Sequence, residues 1–592
     1  MNNKYLHILF LCAGCLLCSC DLDLKISNEW TEDYFWADYE MTTGILTSVY
    51  SEYFSYADAW DGNFLDAATD NAMTRVQSSS VFKAGQGGIT VNGNPLGKWD
   101  SYYSQLQRIH IFMEQGVGDH VLYDVANQEN DPIIENRLLG EAHFLRAYTY
   151  FCLLREYGGK TASGEALGVP LVTKFIDHTD AAATQGLRRD SYDACVEQIV
   201  SNCDKAFEML PLRYNTSDAI LGQDNYGRAS GISAAALKLR ALVYAASPAV
   251  QPDNIVRLDG PGQFTVVDES AYKAKWARAA QYGAEVIGLL GGSYTALKAA
   301  DLYNGAEYLT DEFLFQAYNG NNHNYETRHF PPYYYGQAQT TPSHNLALAF
   351  PAKNGYPVTD PRSGYDPSDP YACARDSRFD VNLFYQGRVF GGDKAGIDVS
   401  EGGKDSMYES PYATRTGYYL GKFLNTSSSK FLDPNATSNS RHCYPLLRAG
   451  EVWLNYAEAA FEAWGPKKAA EGCSWTAYDV LKTTRAKSGG ITDVTYLDEC
   501  AASDDAFRAL LQNERRIELA FENQRYWDMR RWLLPLDETV TGMRITRGED
   551  GTLTYAVQDV EKRPLDAVRY YYFPIPKSET LKTSSLVNNI GW

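Results

Sequence analysis

The sequence predicts a mostly α-helical protein interrupted by long irregular insertions. Three observations carry that expectation. Apolar residues recur at helical spacing between capping and stopping residues, small residues occupy helix contact positions, and the intervening segments are rich in Gly, Pro, Asp and aromatic side chains.

Ile134, Leu138, Ala142, Leu145 and Cys152 form one helical stripe, closed by Gly158-Gly159. Tyr192, Cys195, Val196, Ile199, Cys203, Ala206, Phe207 and Leu210 form a second, with Asp190 or Ser191 as its cap and Pro211 as its stop. Ser230 opens an alanine-rich third that runs to Ala246 and ends at Ser247-Pro248. A fourth surrounds Trp276, Ala280 and Ile287, and later helices are expected around 452–464, 475–487 and 506–532. Ala234, Ala235, Ala241, Ala459 and Ala460 allow close approach of the kind seen in tetratricopeptide pairs, although no fixed repeat period runs through the chain. Between these blocks, 77–98, 318–341 and 354–403 lack a helical period. Loops of such length in a compact protein are functional or disordered, and their aromatic content argues against disorder.

Of 592 residues, 44% are hydrophobic and 22% charged, which excludes collagen, wholesale disorder and a polytopic membrane protein. The formal charge is -20 and no polybasic run occurs, so nucleic acid is not an expected partner. There are 43 tyrosines. They are either core phenols with hydrogen-bond partners or surface rings that bind something.

The N-terminus reads as an address: Lys4 precedes a short apolar run from Tyr5 to Leu17. Leu17-Cys18-Ser19-Cys20 resembles a bacterial lipoprotein box, with Leu at −3, a small residue at −1 and Cys20 as the lipidated residue. Cys15 competes but lacks Leu at −3. Seven cysteines follow Cys20, an odd number with no Cys-x-x-Cys pair, so neither a disulfide framework nor a zinc ribbon is indicated. Cys195 and Cys203 stand about 12 Å apart on one helix, too far to bridge, and are expected to be buried thiols.

Enzyme motifs are missing from the sequence. His-Glu-x-x-His, Gly-x-Ser-x-Gly and an EF-hand loop do not occur. Gly158-Gly159-Lys160-Thr161 resembles the end of a phosphate loop, but Leu154 replaces the first glycine and a helix precedes it. No catalytic residue, metal or cofactor is expected.

Gly140-Glu141-Ala142-His143-Phe144-Leu145-Arg146-Ala147-Tyr148, continuing to Tyr157-Gly158-Gly159 and Val169-Pro170-Leu171, resembles the N-terminal signature of the RagB/SusD family of outer-membrane nutrient-uptake lipoproteins. Gly227-Arg228-Ala229, Thr341-Pro342-Ser343-His344-Asn345-Leu346 and Arg375-Asp376-Ser377-Arg378-Phe379 follow in the family's order. So do Leu454-Asn455-Tyr456-Ala457-Glu458-Ala459, Glu514-Arg515-Arg516-Ile517-Glu518-Leu519 and the ending Asn589-Ile590-Gly591-Trp592. The resemblance covers 20–592, divided into an N-terminal part (about 20–250) and a C-terminal part (about 270–592), behind a signal peptide at 1–19. It implies a tetratricopeptide-like helical superhelix whose inserted loops bind a ligand, usually an oligosaccharide and in a minority of relatives a peptide. It further implies a lipid anchor in the outer membrane, exposure at the cell surface, and a SusC-like TonB-dependent barrel as partner. A lipid-anchored glycoside hydrolase is the alternative outside this scheme.

A sugar ring offers C–H faces that stack on aromatic rings and hydroxyls that seek planar polar partners. Tyr318, Tyr325, His329, Tyr333, Tyr334 and Tyr335 place such types close together, and by resemblance Asp70, Arg75 and Trp99 form the other half of the site. Trp99 reads equally well as a core residue, and a strand through Tyr333 to Tyr335 would turn alternate rings inward. The alternating charges from Glu514 to Arg531 read as an ion network on a helix surface.

Overall fold

The computed structural model describes residues 35–36, 38–177, 179–180, 186–252, 269–303, 310–406 and 410–592. Cys20 and the signal peptide expected before it lie outside the described residues. Among the described residues, ten helices of seven or more residues frame the fold: α1 Tyr39–Tyr53, α2 Trp99–Gln115, α3 Asp131–Tyr157, α4 Tyr192–Met209, α5 Gly231–Ala246, α6 Glu269–Leu289, α7 Ala449–Trp464, α8 Ala477–Lys487, α9 Asp504–Glu518 and α10 Arg525–Arg531. Each helix from α1 to α7 packs on the next, and α8 and α9 close against α7. The protein is largely helical, as the periodicity predicts.

The local chemistry explains the boundaries. Ser191 Oγ accepts the Ala194 N–H at 3.1 Å to start α4, and Pro211 follows its end. Ser230 with Ser233, and Thr476 with Asp479, form reciprocal capping boxes at α5 and α8. Gly140, mid-helix in α3, lets the end of α4 approach: a Cβ there would lie 2.9 Å from Leu210 Cγ and Met209 Cβ. Gly158 is not the left-handed cap the sequence suggests, since its φ is -65°. Glycine is needed there because a side chain would collide with the Leu154 carbonyl and sit 2.8 Å from the Tyr192 ring.

The helix expected over 506–532 is two helices. Phe521 and Asn523 adopt left-handed φ values of 61° and 60°, and the chain turns between α9 and α10. The Asn523 side chain accepts the Leu65 N–H at 2.7 Å and donates to the Ala57 carbonyl at 2.8 Å, which holds that turn against the N-terminal segment.

Short antiparallel strand pairs bridge the helices: β1 Ala72–Thr74, β2 Phe313–Asn322, β3 Thr340–Pro342, β4 Ser440–Arg448, β5 Val540–Arg547 and β6 Leu553–Glu561. β1 pairs with β3, β2 with β4, and β5 with β6. The segment 318–341 is therefore more ordered than its composition suggests. Tyr318 belongs to β2, Asn324–His329 is a short helix, and Pro332–Tyr334 is a single 3-10 turn.

The charged run through α9 and α10 is not a surface network. Glu514, Arg515, Glu518, Glu522, Arg525, Asp528, Arg530 and Arg531 are all buried. Arg448, at the end of β4 and 1% exposed, donates to Glu312 at 2.7 Å, Glu522 at 2.7 Å and Glu518 at 3.1 Å. Arg378 reaches Glu514 at 2.6 Å and Glu518 at 2.8 Å, while Arg515 and Arg531 share Asp528 at 2.8 Å each. Multiple hydrogen bonds per ion offset the desolvation of so many charges.

The tyrosines divide between core and surface. Most described phenols are wholly or partly buried, as with Tyr50 bonded to Glu141 and Tyr102 bonded to Glu156. Four are exposed: Tyr39, Tyr333, Tyr335 and Tyr412. Cys195 and Cys203 are free and buried, as expected.

Candidate functional site

The β1–β3 pairing, with Met73 opposite Thr341, brings the two halves of the expected site together across more than 250 residues. Arg75 continues β1, and its N–H donates to the Gln339 carbonyl at 3.1 Å. Its Nε donates to the Gln337 carbonyl at 2.6 Å, and its guanidinium lies 4.5 Å over the Tyr412 ring. Arg75 thus ties Tyr412 to the loop that carries Tyr333 and Tyr335.

Three rings of this face meet solvent: Tyr333 at 57%, Tyr335 at 59% and Tyr412 at 48%. Between the first two, Tyr334 turns inward. Its ring packs 5.0 Å from Phe390 and its hydroxyl donates to Asp393 at 2.5 Å. Lys404 donates to the same Asp393 oxygen at 2.5 Å and to Tyr334 Oη at 2.7 Å, with its ammonium 4.4 Å over the Tyr333 ring. Hydrogen bonds from Lys404 and Tyr334 hold the Asp393 carboxyl down at about 2. The buried phenol and the ion pair therefore act as a pin beneath Tyr333. Tyr335 sits at φ 65°, in the left-handed region that a bulky ring rarely adopts, and its N–H donates to the Pro332 carbonyl at 2.9 Å. Strain held in place by surrounding structure is a recurring property of ligand loops.

The other expected site residues lie elsewhere. Tyr325 is wholly buried, its hydroxyl accepting the Ala57 N–H at 2.6 Å and its ring stacked 5.7 Å from Phe423. His329, also wholly buried, is hydrogen-bonded to Asp58 at 2.8 Å, and burial lowers its proton affinity. Asp70 is buried between Arg516 and Arg525 at 2.9 Å from each. Burial pushes its carboxyl up, but the two guanidinium groups outweigh that and hold it well below the usual carboxylate range. Trp99 is 6% exposed, opens α2 and packs 5.0 Å from Tyr157. Tyr318 is half-buried in β2, with its ring 6.1 Å from Tyr226. As groups of this face, Tyr325, His329 and Asp70 are corrected to structural residues, because their polar atoms are already occupied by protein, and Trp99 is corrected because it stands in a cleft apart from this face.

Tyr412, Lys404, Asp393 and Gln337 join the face without having been singled out in the sequence. The Pro411-Tyr412 step, just beyond an insertion dense in Gly and Asp, is the local signal that could have marked Tyr412. Among the described residues no group of three His, Cys, Asp or Glu is placed to hold a metal ion.

This division predicts opposite outcomes for neighbouring tyrosines. Tyr325→Ala should cost about 3–5 kcal/mol of stability, as for a large buried aromatic. Tyr333→Ala should stay within about 0.5 kcal/mol of the parent. Urea midpoints of the two variants check the assignment, and similar losses in both would refute it.

The class defined by fold and face is a helical scaffold protein with a loop-built surface. The chain belongs to the SusD/RagB family: the SusD family model matches residues 311–592, and a model described as starch-binding associating with outer membrane matches 24–223. The fold is shared with a SusD-like protein from Bacteroides fragilis, 23% identical, covering 95% of this chain and 99% of that one with a TM-score of 0.70. A SusD-like carbohydrate binding protein from Bacteroides fragilis is 20% identical, covering 93% and 99%, with a TM-score of 0.67. Surface glycan-binding protein A from Bacteroides fluxus is 16% identical, covering 94% and 100%, with a TM-score of 0.57. No curated protein matches the chain.

Proposed function

We propose that this protein is a surface lipoprotein that binds oligosaccharide or polysaccharide through Tyr333, Tyr335, Tyr412 and Arg75 and delivers it to a TonB-dependent outer-membrane barrel. The observation that carries the reading is the trio of exposed rings, Tyr333 and Tyr335 on a pinned loop and Tyr412 on a neighbouring one, flanked by a guanidinium and an ammonium group. Exposed rings on a rigid support fit the C–H faces of sugars, and charged donors beside them fit hydroxyls. The starch-binding description of the N-terminal family model and the carbohydrate- and glycan-binding names of two structural relatives support the same ligand class. Binding without turnover is the expected activity.

Calorimetry of the mature protein against amylopectin, xylan, galactomannan and arabinan tests the reading. Heat of binding to at least one, with no reducing sugar released over many hours, is the expected result. Silence on every glycan, or turnover lost on mutating one carboxylate, would overturn it.

The anchor belongs to the same proposal, with Cys20 as the acylated residue. Several acyl chains on one residue hold a protein at a membrane stably, whereas one is marginal. Anchoring beside a barrel would raise the glycan concentration at its mouth, so that modest affinity suffices. Cys20→Ala should release the protein from membranes and abolish metabolic acyl labelling. Labelling that persists in the variant places the anchor elsewhere.

A further inference from the structure

A small space opens where the end of α3, the segment after α5, α10 and residues 571–572 meet. Three arginines, Arg155, Arg530 and Arg531, are among the residues that line it, with Trp527, Tyr244 and Tyr571 beside them. Its volume is about 30 Å³. That is room for a water-sized species, and it excludes sulfate, phosphate or a sugar.

Two of the three cations have carboxylates. Arg531 meets Glu458 at 2.5 Å and Asp528 at 2.8 Å, and Arg155 stands 3.6 Å from Glu156. Arg530 is 4% exposed and has no carboxylate within ion-pair distance among the described residues. Its Nη1 donates to the Tyr526 carbonyl at 3.0 Å, and its guanidinium lies 3.4 Å over the Tyr526 ring. Both of those contacts are neutral.

The contrast runs along one helix. Burial opposes the charge on Arg525, Arg530 and Arg531 alike. Carboxylates outweigh it for Arg525 and Arg531, whereas Arg530, with the Tyr526 and Tyr571 phenols beside it, stays below the ordinary value. Arg189 is also buried without an ion pair, but it donates to four backbone carbonyls where Arg530 has one. A buried charge is costly unless an opposite charge or a full set of hydrogen bonds meets it. A water in this space would accept a hydrogen bond and leave the charge unanswered. The species that fits both the volume and the charge is a single-atom anion.

We propose that this space is a binding site for a chloride-sized monovalent anion held against Arg530, which fastens residues 571–572 to α10 and to the end of α3. The anion does for Arg530 what Glu458 and Asp528 do for Arg531. The site is separate from the tyrosine face and does not depend on the glycan reading.

Urea unfolding of the mature protein at rising sodium chloride tests it, with sodium methanesulfonate, whose anion is too large for the space, at equal ionic strength. A chain of net charge -20 is stabilised by any salt through screening, so the readout is the excess in chloride. In the parent the midpoint should climb with the logarithm of chloride concentration beyond its climb in methanesulfonate. Arg530→Met should lose that excess. Crystals of the parent soaked in sodium bromide give a readout that needs no variant, an anomalous peak beside the Arg530 guanidinium. The peak and the chloride excess together support the site. No peak beside Arg530, or equal midpoints in the two salts, overturns it. A peak without the excess marks an adventitious ion only and overturns it too, as does an excess that persists in folded Arg530→Met.

Discussion

Arg448→Met is expected to lose about 3–5 kcal/mol of stability, the usual result of removing one partner from a buried ion pair. The methionine fills much of the space but leaves Glu312, Glu518 and Glu522 facing one another without the shared cation. Lys422 still reaches Glu522 at 2.7 Å and Arg378 still reaches Glu518, so Glu312 loses most. The same change should make the protein acid-sensitive. Burial pushes the Glu518 carboxyl up, and the guanidinium groups of Arg448 and Arg378 outweigh that to hold it at about 2. Because the folded value lies below the unfolded one, this contribution is present above about pH 4.5 and fades as pH falls toward 2. Without Arg448 the acid midpoint should move upward. Urea and acid titrations followed by tryptophan fluorescence measure both effects, and unchanged midpoints would show that the cluster contributes nothing net.

Tyr333→Ala and Tyr412→Ala are each expected to weaken glycan binding at least tenfold, about 1.4 kcal/mol. A few aromatic anchors usually carry most of an interface's free energy, and these rings are the ones presented to solvent on this face. They lie on different loops and touch different cations, Lys404 for Tyr333 and Arg75 for Tyr412. Their effects should therefore add, giving about a hundredfold in the pair. Lys404→Ala should act on Tyr333 by loosening its support, with a smaller loss of affinity than Tyr333→Ala itself. Calorimetry against the recognised glycan, with circular dichroism to confirm folding, decides. Full affinity in the folded double variant would mean that this is the wrong face.

Helices were the most legible part of the sequence because their signals are local. Ser191, Ser230 and Pro211 act within a turn or two of where they stand, and α4 and α5 begin and end where those residues say. The buried ion cluster was not legible. The alternating charges from Glu514 to Arg531 have the pattern of a solvated face, and only the fold brings Arg448, Arg378 and Asp70 onto them. The site was half legible for the same reason. Composition marked the tyrosine-rich loop, but a short helix turns Tyr325 and His329 inward while the 3-10 turn leaves Tyr333 outside. Arg75 came from resemblance, and the fold sets it beside the loop, whereas Tyr412 depends on a contact between segments more than 300 residues apart.

Asp70 and Arg525 are bonded across 455 residues. A ribosome releases the aspartate hundreds of residues before either of its arginines exists, so in any shorter intermediate that carboxylate has no cation to enter the core with. The N-terminal half accordingly lacks both cations that Asp70 pairs with, and closing so distant a contact is slow. The Asp70 ion cluster can therefore be completed only once the last fifth of the chain has been made. A copy that ends before Arg516 is expected to leave the Asp70 carboxylate without a cation and so to be open to proteolysis.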